Sequence, residues 1–288
     1  MNEKKEQWTV GSILKWTRQY FCEKGVASPR LDAEVLLSHI LGKDRLYLYV
    51  HFDRPLDEQE LTEYRRLVKQ RALRTPVAYL VGYKEFMGLP FAVTPDVLIP
   101  RPDTEVLVEA VLERVTEKDQ TSILDIGTGS GAIIISLLTK LPQARGLAVD
   151  LSAAALAVAG QNAVNQQVGD RLQLVAGDIF EPVLNQRFDV IVSNPPYIPD
   201  KDIAGLEPEV RQEPHGALAG GQDGLDFYRR IISQAPGYVN PGGFLALEVG
   251  IHQAEAVAAL AEAGGILTVE AICQDYGGVE RVLILRAP

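Results

Sequence analysis

Three short stretches carry residues able to do chemistry. The first, FDVIVSNPPYIPD at 188–200, runs from an apolar segment (Val190, Ile191, Val192) straight into Asn194-Pro195-Pro196-Tyr197. β-Branched residues suit a strand covered on both faces. Two prolines end its pairing, because neither has an N–H to donate. An asparagine fixed between a buried strand and a stiff turn is placed to hold something through its amide. The second stretch is Leu124-Asp125-Ile126-Gly127-Thr128-Gly129-Ser130-Gly131. It reads as a strand-to-helix turn whose glycines let the backbone approach a ligand and leave helix N–H groups facing it. Asp150 ends the next apolar segment, where a carboxylate accepts from ribose hydroxyls. In the third stretch, Gly177-Asp178-Ile179, a carboxylate is offered to an adenine amino group and an apolar side chain to its ring.

The glycine turn alone leaves the ligand open. With Ala132 it also satisfies the relaxed dinucleotide pattern G-x-G-x-x-A. A tight turn with no ligand is the plain alternative, but three alternating glycines exceed what a turn requires. Two features favour S-adenosyl-L-methionine over a dinucleotide. Asp125, just before the glycines, suits a cationic amino-acid tail and would repel a pyrophosphate. Asp178 and Ile179 end a further strand on the side where such ligands bind.

These residues need a frame that brings strand ends together. From Asp103 the pattern alternates: helix 103–118, strand 123–126, helix 131–140, strand 147–150, helix 152–166 and strands 172–175 and 189–193. Helix 226–235, strand 244–249, helix 252–263 and strands near 267–272 and 282–285 follow. Alternating strands and helices predict a mainly parallel sheet covered on both faces, with an antiparallel pair at its end. Residues 1–85 read instead as a small helical bundle. Ile13, Trp16, Thr17 and Tyr20 share one helical face. Ser28-Pro29 opens a second helix that Gly42 closes after Leu36, Leu37, Ile40 and Leu41. Asp57 and Glu60 form a capping pair before Leu61, Tyr64, Leu67 and Val68. Arg65, Arg66, Lys69, Arg71 and Arg74 stud the last helix as a solvated face or a docking patch. Residues 86–102, punctuated by Gly and Pro, read as a hairpin-like connector. The expected domains are therefore 1–85, 86–102 and 103–288, and the 198–226 connection is long enough to expect a functional loop.

Composition excludes several classes. The 288 residues carry a net charge of −10, split between 15 basic and 12 acidic residues in 1–85 and 13 basic and 26 acidic in 86–288. An acidic catalytic half argues against a protein whose main task is gripping phosphates. Two distant cysteines and four scattered histidines make neither a disulfide framework nor a metal site. The charged start of the chain lacks the apolar core of a secretory signal, and no apolar run is long enough to span a bilayer. A cytoplasmic, metal-independent protein is the expectation.

Taken in order, DIGTGSG, Asp150, Gly177-Asp178 and NPPY resemble class I, Rossmann-like S-adenosylmethionine methyltransferases that act on a planar nitrogen. More specifically, Phe86–Phe91, Val97–Glu105 (VLIPRPDTE), NPPYI, Glu209-Val210-Arg211 with Glu213-Pro214, and Gly220-Gly221 through Leu225 are similar to the HemK/PrmC-type protein-glutamine N5-methyltransferases. The resemblance runs along nearly the whole chain. It implies a seven-stranded, mainly parallel sheet, with the helical domain recognising the substrate. That substrate is the glutamine of a Gly-Gly-Gln loop in class-1 peptide-chain release factors, and the other product is S-adenosyl-L-homocysteine. It further implies that Asp125, Gly127, Thr128, Gly129, Ser130, Gly131, Asp150, Asp178, Ile179 and Asn194 meet the cofactor. Asn194, Pro195, Pro196 and Tyr197 would hold the glutamine, with Asn194 and the Pro195 carbonyl accepting from its nitrogen, and Pro102 and Thr104 would close the pocket. Ile179 departs from the aromatic that some relatives place there, and Glu248 reads as structural. NPPY is shared with enzymes acting on nucleic-acid amino groups, so a nucleic-acid amino-methyltransferase is the nearest alternative. A dehydrogenase and a non-catalytic cofactor-binding module stand further off.

Overall fold

The computed structural model describes residues 7–115 and 120–288. The start of the chain and the end of the expected 103–118 helix lie outside them. The described chain forms two compact units, one of residues up to Gly82 together with Pro208–Gln212, the other of Tyr83–Glu207 and Glu213–Pro288. The first unit thus closes three residues before the expected boundary and recruits a short piece of the later loop.

In the first unit, helices α1 (Val10–Glu23), α2 (Pro29–Leu41), α3 (Arg45–Val50), α4 (Glu58–Ala72) and α5 (Val77–Val81) surround one apolar core. Val10, Ile13, Thr17 and Phe21 form the buried stripe of α1, whereas Trp16 is half exposed and stacks on Tyr20. The Asp57–Glu60 pair closes a reciprocal capping box on α4, satisfying two backbone donors that would otherwise be orphaned. Ser28 precedes α2 without a side-chain cap, and Pro29 supplies the start. The basic face of α4 is narrower than the sequence suggests. Arg71 is buried and bonded to Asp32 and Glu209, each at 2.7 Å, and Arg74, past the helix end, also meets Glu209 at 2.7 Å. Only Arg65, Arg66 and Lys69 remain as its exposed basic residues.

The second unit begins with a hairpin, β1 (Tyr83–Phe86) and β2 (Leu89–Ala92), then a 3-10 turn at Pro102–Thr104 and helix α6 (Glu105–Leu112). Strands β3 (Ser122–Ile126), β4 (Arg145–Asp150), β5 (Leu172–Ala176), β6 (Phe188–Ser193), β7 (Val239–Glu248), β8 (Thr268–Gln274) and β9 (Glu280–Arg286) make a seven-stranded sheet. Its order is β5-β4-β3-β6-β7-β9-β8. The sequence-predicted terminal pair is antiparallel, but β9 inserts between β7 and β8 and is the single reversed strand. Between the strands lie helices α7 (Ala132–Lys140), α8 (Ala153–Asn165), α9 (Asp200–Ile203), α10 (Asp226–Gln234) and α11 (Ala254–Gly264). Strand residues alternate between two cores. Ile123, Val190, Val192 and Ile284 join α6 and α7 on one face, while Leu124, Ile191, Leu245 and Leu283 join α10 and α11 on the other. Burial on both faces is what near-continuous apolar strands require. β7 starts five residues earlier than expected, because Pro241-Gly242-Gly243 are accommodated where its register with β6 shifts. Among the described residues no helix is long and apolar enough to cross a membrane.

Candidate active site

The strand order reverses between β3 and β6. Their carboxyl ends, with those of β4 and β5, open on a cavity of about 370 Å³. A crevice beyond the carboxyl ends at such a switch point is where open α/β sheets bind ligands. Gly127, Gly129, Asp150, Asp178, Ile179, Asn194, Pro195 and Pro196 all line it. Residues from three strand-end turns and the Asn-Pro-Pro turn therefore meet in one space, as their order in the sequence suggested.

The glycine turn works differently from the expectation. Gly127, Gly129 and Gly131 all have positive φ. Yet the N–H groups of Gly127 and Thr128 donate to the Val149 carbonyl, that of Gly129 to Asp150 Oδ2 at 2.9 Å and that of Gly131 to the Thr128 carbonyl. These donors do not face the cavity, so this turn cannot cradle a pyrophosphate through them. What it provides is room, since a Cβ at Gly127 or Gly129 would meet no atom within 4 Å. At Gly131 the reason is packing, because a Cβ would come within 2.6 Å of Ile135. Thr128, Ser130 and Gly131 shape the turn without lining the cavity.

Asp125 is wholly buried under this turn and does not line the cavity. Its Oδ2 accepts from the Thr128 hydroxyl at 2.7 Å, and Oδ1 has no partner. Burial pushes its carboxyl up to about 7, against the pull of Thr128 and with a push from Asp150. Asp150 takes the Gly129 and Ser152 N–H groups, one on each oxygen, and still faces the cavity. Asp178 pairs with Arg230, but its Oδ1 is buried and unpartnered on the cavity wall. Beside it Ile179 holds φ +52°, a conformation that costs a β-branched residue on the order of 1–2 kcal/mol. Such strain persists where a site fixes it. An adenosine-type group fits this donor-poor, acceptor-rich wall. Its ribose hydroxyls and amino group have Asp150 and the free Asp178 oxygen to meet.

Leu151 and Phe227 are among the apolar contributors that escaped the sequence reading. Leu151 lies at the cavity mouth, 67% exposed, directly after Asp150. Phe227 of α10 lines the same space and brings an aromatic ring to it. The signal for Leu151 was a large apolar residue in a polar turn. Phe227, far along the chain, gave none.

The Asn-Pro-Pro turn is held from behind by distant segments. Asn194 Nδ2 donates to Thr104 Oγ1 at 3.2 Å, and the Tyr197 carbonyl accepts from Gln253 Nε2 at 3.0 Å. Gly220 and Gly224 press so closely that a Cβ would come within 2.8 Å of the Pro196 carbonyl and 2.3 Å of the Tyr197 carbonyl. The long connection after β6 is thus packed against the turn it follows. At Glu213 it is buried and bonded to Arg101 and to the Ile99 N–H at 3.1 Å. Thr104 is buried against Asn194 instead of closing the cavity, and neither it nor Pro102 nor Tyr197 is among the cavity-lining residues. Glu248, at the end of β7, lies under the same turn. It is 1% exposed, and the Tyr197 hydroxyl meets its Oε1 at 3.5 Å.

Comparison with known proteins agrees with this architecture. Residues 12–82 match the PrmC N-terminal domain and residues 102–206 the methyltransferase small domain. The release factor glutamine methyltransferase of Geobacter sulfurreducens is 51% identical over 284 residues, 98% of each chain. That of Moorella thermoacetica is 46% identical, covering 90% of this chain and 92% of its own. A methyltransferase structure from Pyrococcus furiosus shares the fold at a TM-score of 0.52 and 22% identity, over 70% of this chain and 91% of that one. With near-complete coverage at such identity, the chain belongs to the release factor glutamine methyltransferase family.

Proposed function

We infer that the protein transfers a methyl group from S-adenosyl-L-methionine to the side-chain nitrogen of the glutamine in the Gly-Gly-Gln loop of class-1 peptide-chain release factors. The observation that carries this reading is the shared cavity, in which Asn194, Pro195 and Pro196 face the same space as Gly127, Gly129 and Asp150. When bound, the cofactor supplies an electrophilic methyl on a sulfonium, a leaving group good enough that the chain needs no general acid. The cofactor would give up that methyl with the electron pair of the carbon–sulfur bond left on sulfur. The nitrogen lone pair forms the new bond, and the nitrogen then sheds one proton to solvent.

The residues divide the remaining work. Asp150 takes the ribose hydroxyls and Asp178 the adenine amino group, with Leu151, Ile179 and Phe227 against the ring. Asp125, once ionised, gives the region of the glycine turn a negative field that suits a cationic tail. An amide nitrogen is a poor nucleophile because its lone pair is delocalised. The Asn194 and Pro195 carbonyls accept its hydrogens, orient it and stabilise the positive charge that builds on it. In-line placement supplies a further contribution that reaches ~7–11 kcal/mol in favourable cases. Tyr197 braces the turn. The N-terminal unit recognises the release factor, and the exposed Arg65, Arg66 and Lys69 steer an acidic partner, all in the cytoplasm where termination occurs.

The test is methyl transfer from labelled S-adenosyl-L-methionine to a purified class-1 release factor, with the modified peptide mapped by mass spectrometry. Label is expected on the Gly-Gly-Gln glutamine, and none on a Gly-Gly-Ala factor or on duplex DNA. Label on DNA alone would replace this reading with the nucleic-acid one. Charge reversal at Arg65, Arg66 and Lys69 that left partner affinity and its salt dependence unchanged would remove the steering role.

A further inference from the structure

An asparagine amide can face a ligand with either end, and only the carbonyl end serves the chemistry above. What decides the matter lies behind Asn194. Its Nδ2 donates to Thr104 Oγ1 at 3.2 Å, and Thr104 is itself buried. Glu248, 1% exposed at the end of β7, meets the Tyr197 hydroxyl through Oε1 at 3.5 Å, while its Oε2 is buried with no partner at bonding distance. Besides the Tyr197 hydroxyl, the Thr104 hydroxyl and the Asn194 amide are uncharged donors that bear on this carboxylate, and either could serve its free oxygen. Tyr228 pins the backbone at this point by donating to the Glu248 carbonyl at 2.8 Å. A buried carboxylate is costly unless its oxygens are hydrogen-bonded or paired.

The polarity of this chain of groups follows from the chemistry of its end. A carboxylate only accepts, and a threonine hydroxyl has a single hydrogen. Once that hydrogen is given to Glu248, the hydroxyl has only lone pairs left for Asn194, which must answer with its NH2 group. We propose that Glu248 and Thr104 are positioning residues for methyl transfer: the carboxylate takes the Thr104 hydrogen, the hydroxyl takes an Asn194 N–H, and the Asn194 carbonyl is thereby fixed toward the cavity as acceptor. This rests on the methyltransferase reading and adds to it a residue that neither touches the substrate nor lines the cavity. A glutamine at 248 would keep the shape but could donate as well as accept, so the direction of the chain would no longer be imposed.

Protonation would loosen the same control. Burial pushes Glu248 up to about 7, with Thr104 and Arg281 pulling it down, Asp103 pushing it up and Asn194 pulling it down. The groups that face it are Thr104 and Asp103 before α6, Asn194 and Tyr197 on the turn, Tyr228 on α10 and Arg281 on β9. The set point has a bystander in Asp125, raised to about 7 as well, so the assay needs a variant of each.

The experiment is steady-state transfer to a class-1 release factor by the full-length chain, wild type and Glu248→Gln, from pH 5.5 to 9. Wild-type kcat is expected to rise through the region near 7. In Glu248→Gln, kcat should fall at least about ten-fold and lose that acid limb, while the Kd for S-adenosyl-L-methionine holds and the melting temperature does not fall. Thr104→Val should reproduce the loss, Thr104→Ser should restore most of it, and Thr104→Val combined with Glu248→Gln should be no worse than either alone. An Asp125→Asn variant should keep the Glu248 limb. Wild-type kcat in Glu248→Gln, or a fall matched by equal losses of cofactor binding and thermal stability, would overturn the inference and leave the methyltransferase reading standing. A wild-type chain that binds cofactor but modifies no release factor would overturn both. If Glu248→Gln does not fold, the Thr104 pair decides alone: equal kcat in Val and Ser refutes the relay.

Discussion

The glycine turn after β3 and the Asn-Pro-Pro turn after β6 end neighbouring strands and share one cavity, yet they are secured in opposite ways. The first is wired locally. Asp125 holds Thr128 three residues on, Gly131 holds Thr128, and Asp150 on the next strand holds Gly129. The second is wired across the unit, by Thr104 before β3, by Gly220 and Gly224 in the long loop, and by Glu248 and Gln253 beyond α10. Each rests on a fully buried carboxylate raised to about 7. A cofactor common to many proteins is met by a motif that carries its own supports. The substrate end borrows supports from the fold around it.

That contrast can be broken most directly at Asn194. Asn194→Ala should lower kcat for methyl transfer by about 100-fold or more while leaving cofactor affinity within about two-fold. Equal losses, read by single-turnover kinetics and calorimetry, would mean the two turns are not separable. The complementary change is Asp150→Ala, which removes the acceptor of two backbone N–H groups as well as the ribose partner. Its Kd for S-adenosyl-L-methionine should rise about ten- to a hundred-fold, since a hydrogen bond to a charged group is worth roughly 1.5–3 kcal/mol. Unchanged affinity would detach Asp150 from the cofactor.

Smaller effects sharpen the picture of the two carboxylates. Both have folded values above those of an unfolded chain, so the stability linked to them is full below about 4 and is lost as pH rises through about 7. Ligand-free protein should therefore show a urea midpoint that falls across that window. Asp125→Asn should flatten part of the fall, and a midpoint that climbs instead would show that the buried charges are compensated. Least of all, Asp57→Ala should cost about 1 kcal/mol through the lost cap on α4, with kcat for transfer unaltered. A drop in kcat there would tie the helical unit to the chemistry itself.

What could be read from the sequence follows the same division. The strand–glycine–helix pattern, the acidic ends of β4 and β5 and the Asn-Pro-Pro stop are local, and short-range rules of periodicity and turn chemistry locate them. The reversed β9 was legible as one of a pair but not its place between β7 and β8, because strand order depends on packing across the whole sheet. Arg71 looked like one more charge on a wet helix face. Its burial depends on Asp32 and Glu209, 39 residues before it and 138 after it. Glu248 seemed structural for the same reason, its neighbours Thr104 and Asn194 being remote in sequence. The glycine N–H groups were expected to face a ligand, and only the register of β3 against β4 reveals that they are already spent on the Val149 carbonyl and Asp150.

Residues Pro208–Gln212 have a consequence for anyone treating the helical unit as a cassette. Its Arg71 and Arg74 are closed by Glu209, which the chain delivers only after passing through six strands of the other unit. A single crossover near residue 82 would transplant the helices without their counter-ion and strand a guanidinium in the interior. Chimaeras built from two relatives should therefore inherit the helices and the 208–212 segment from the same parent, as one discontinuous module.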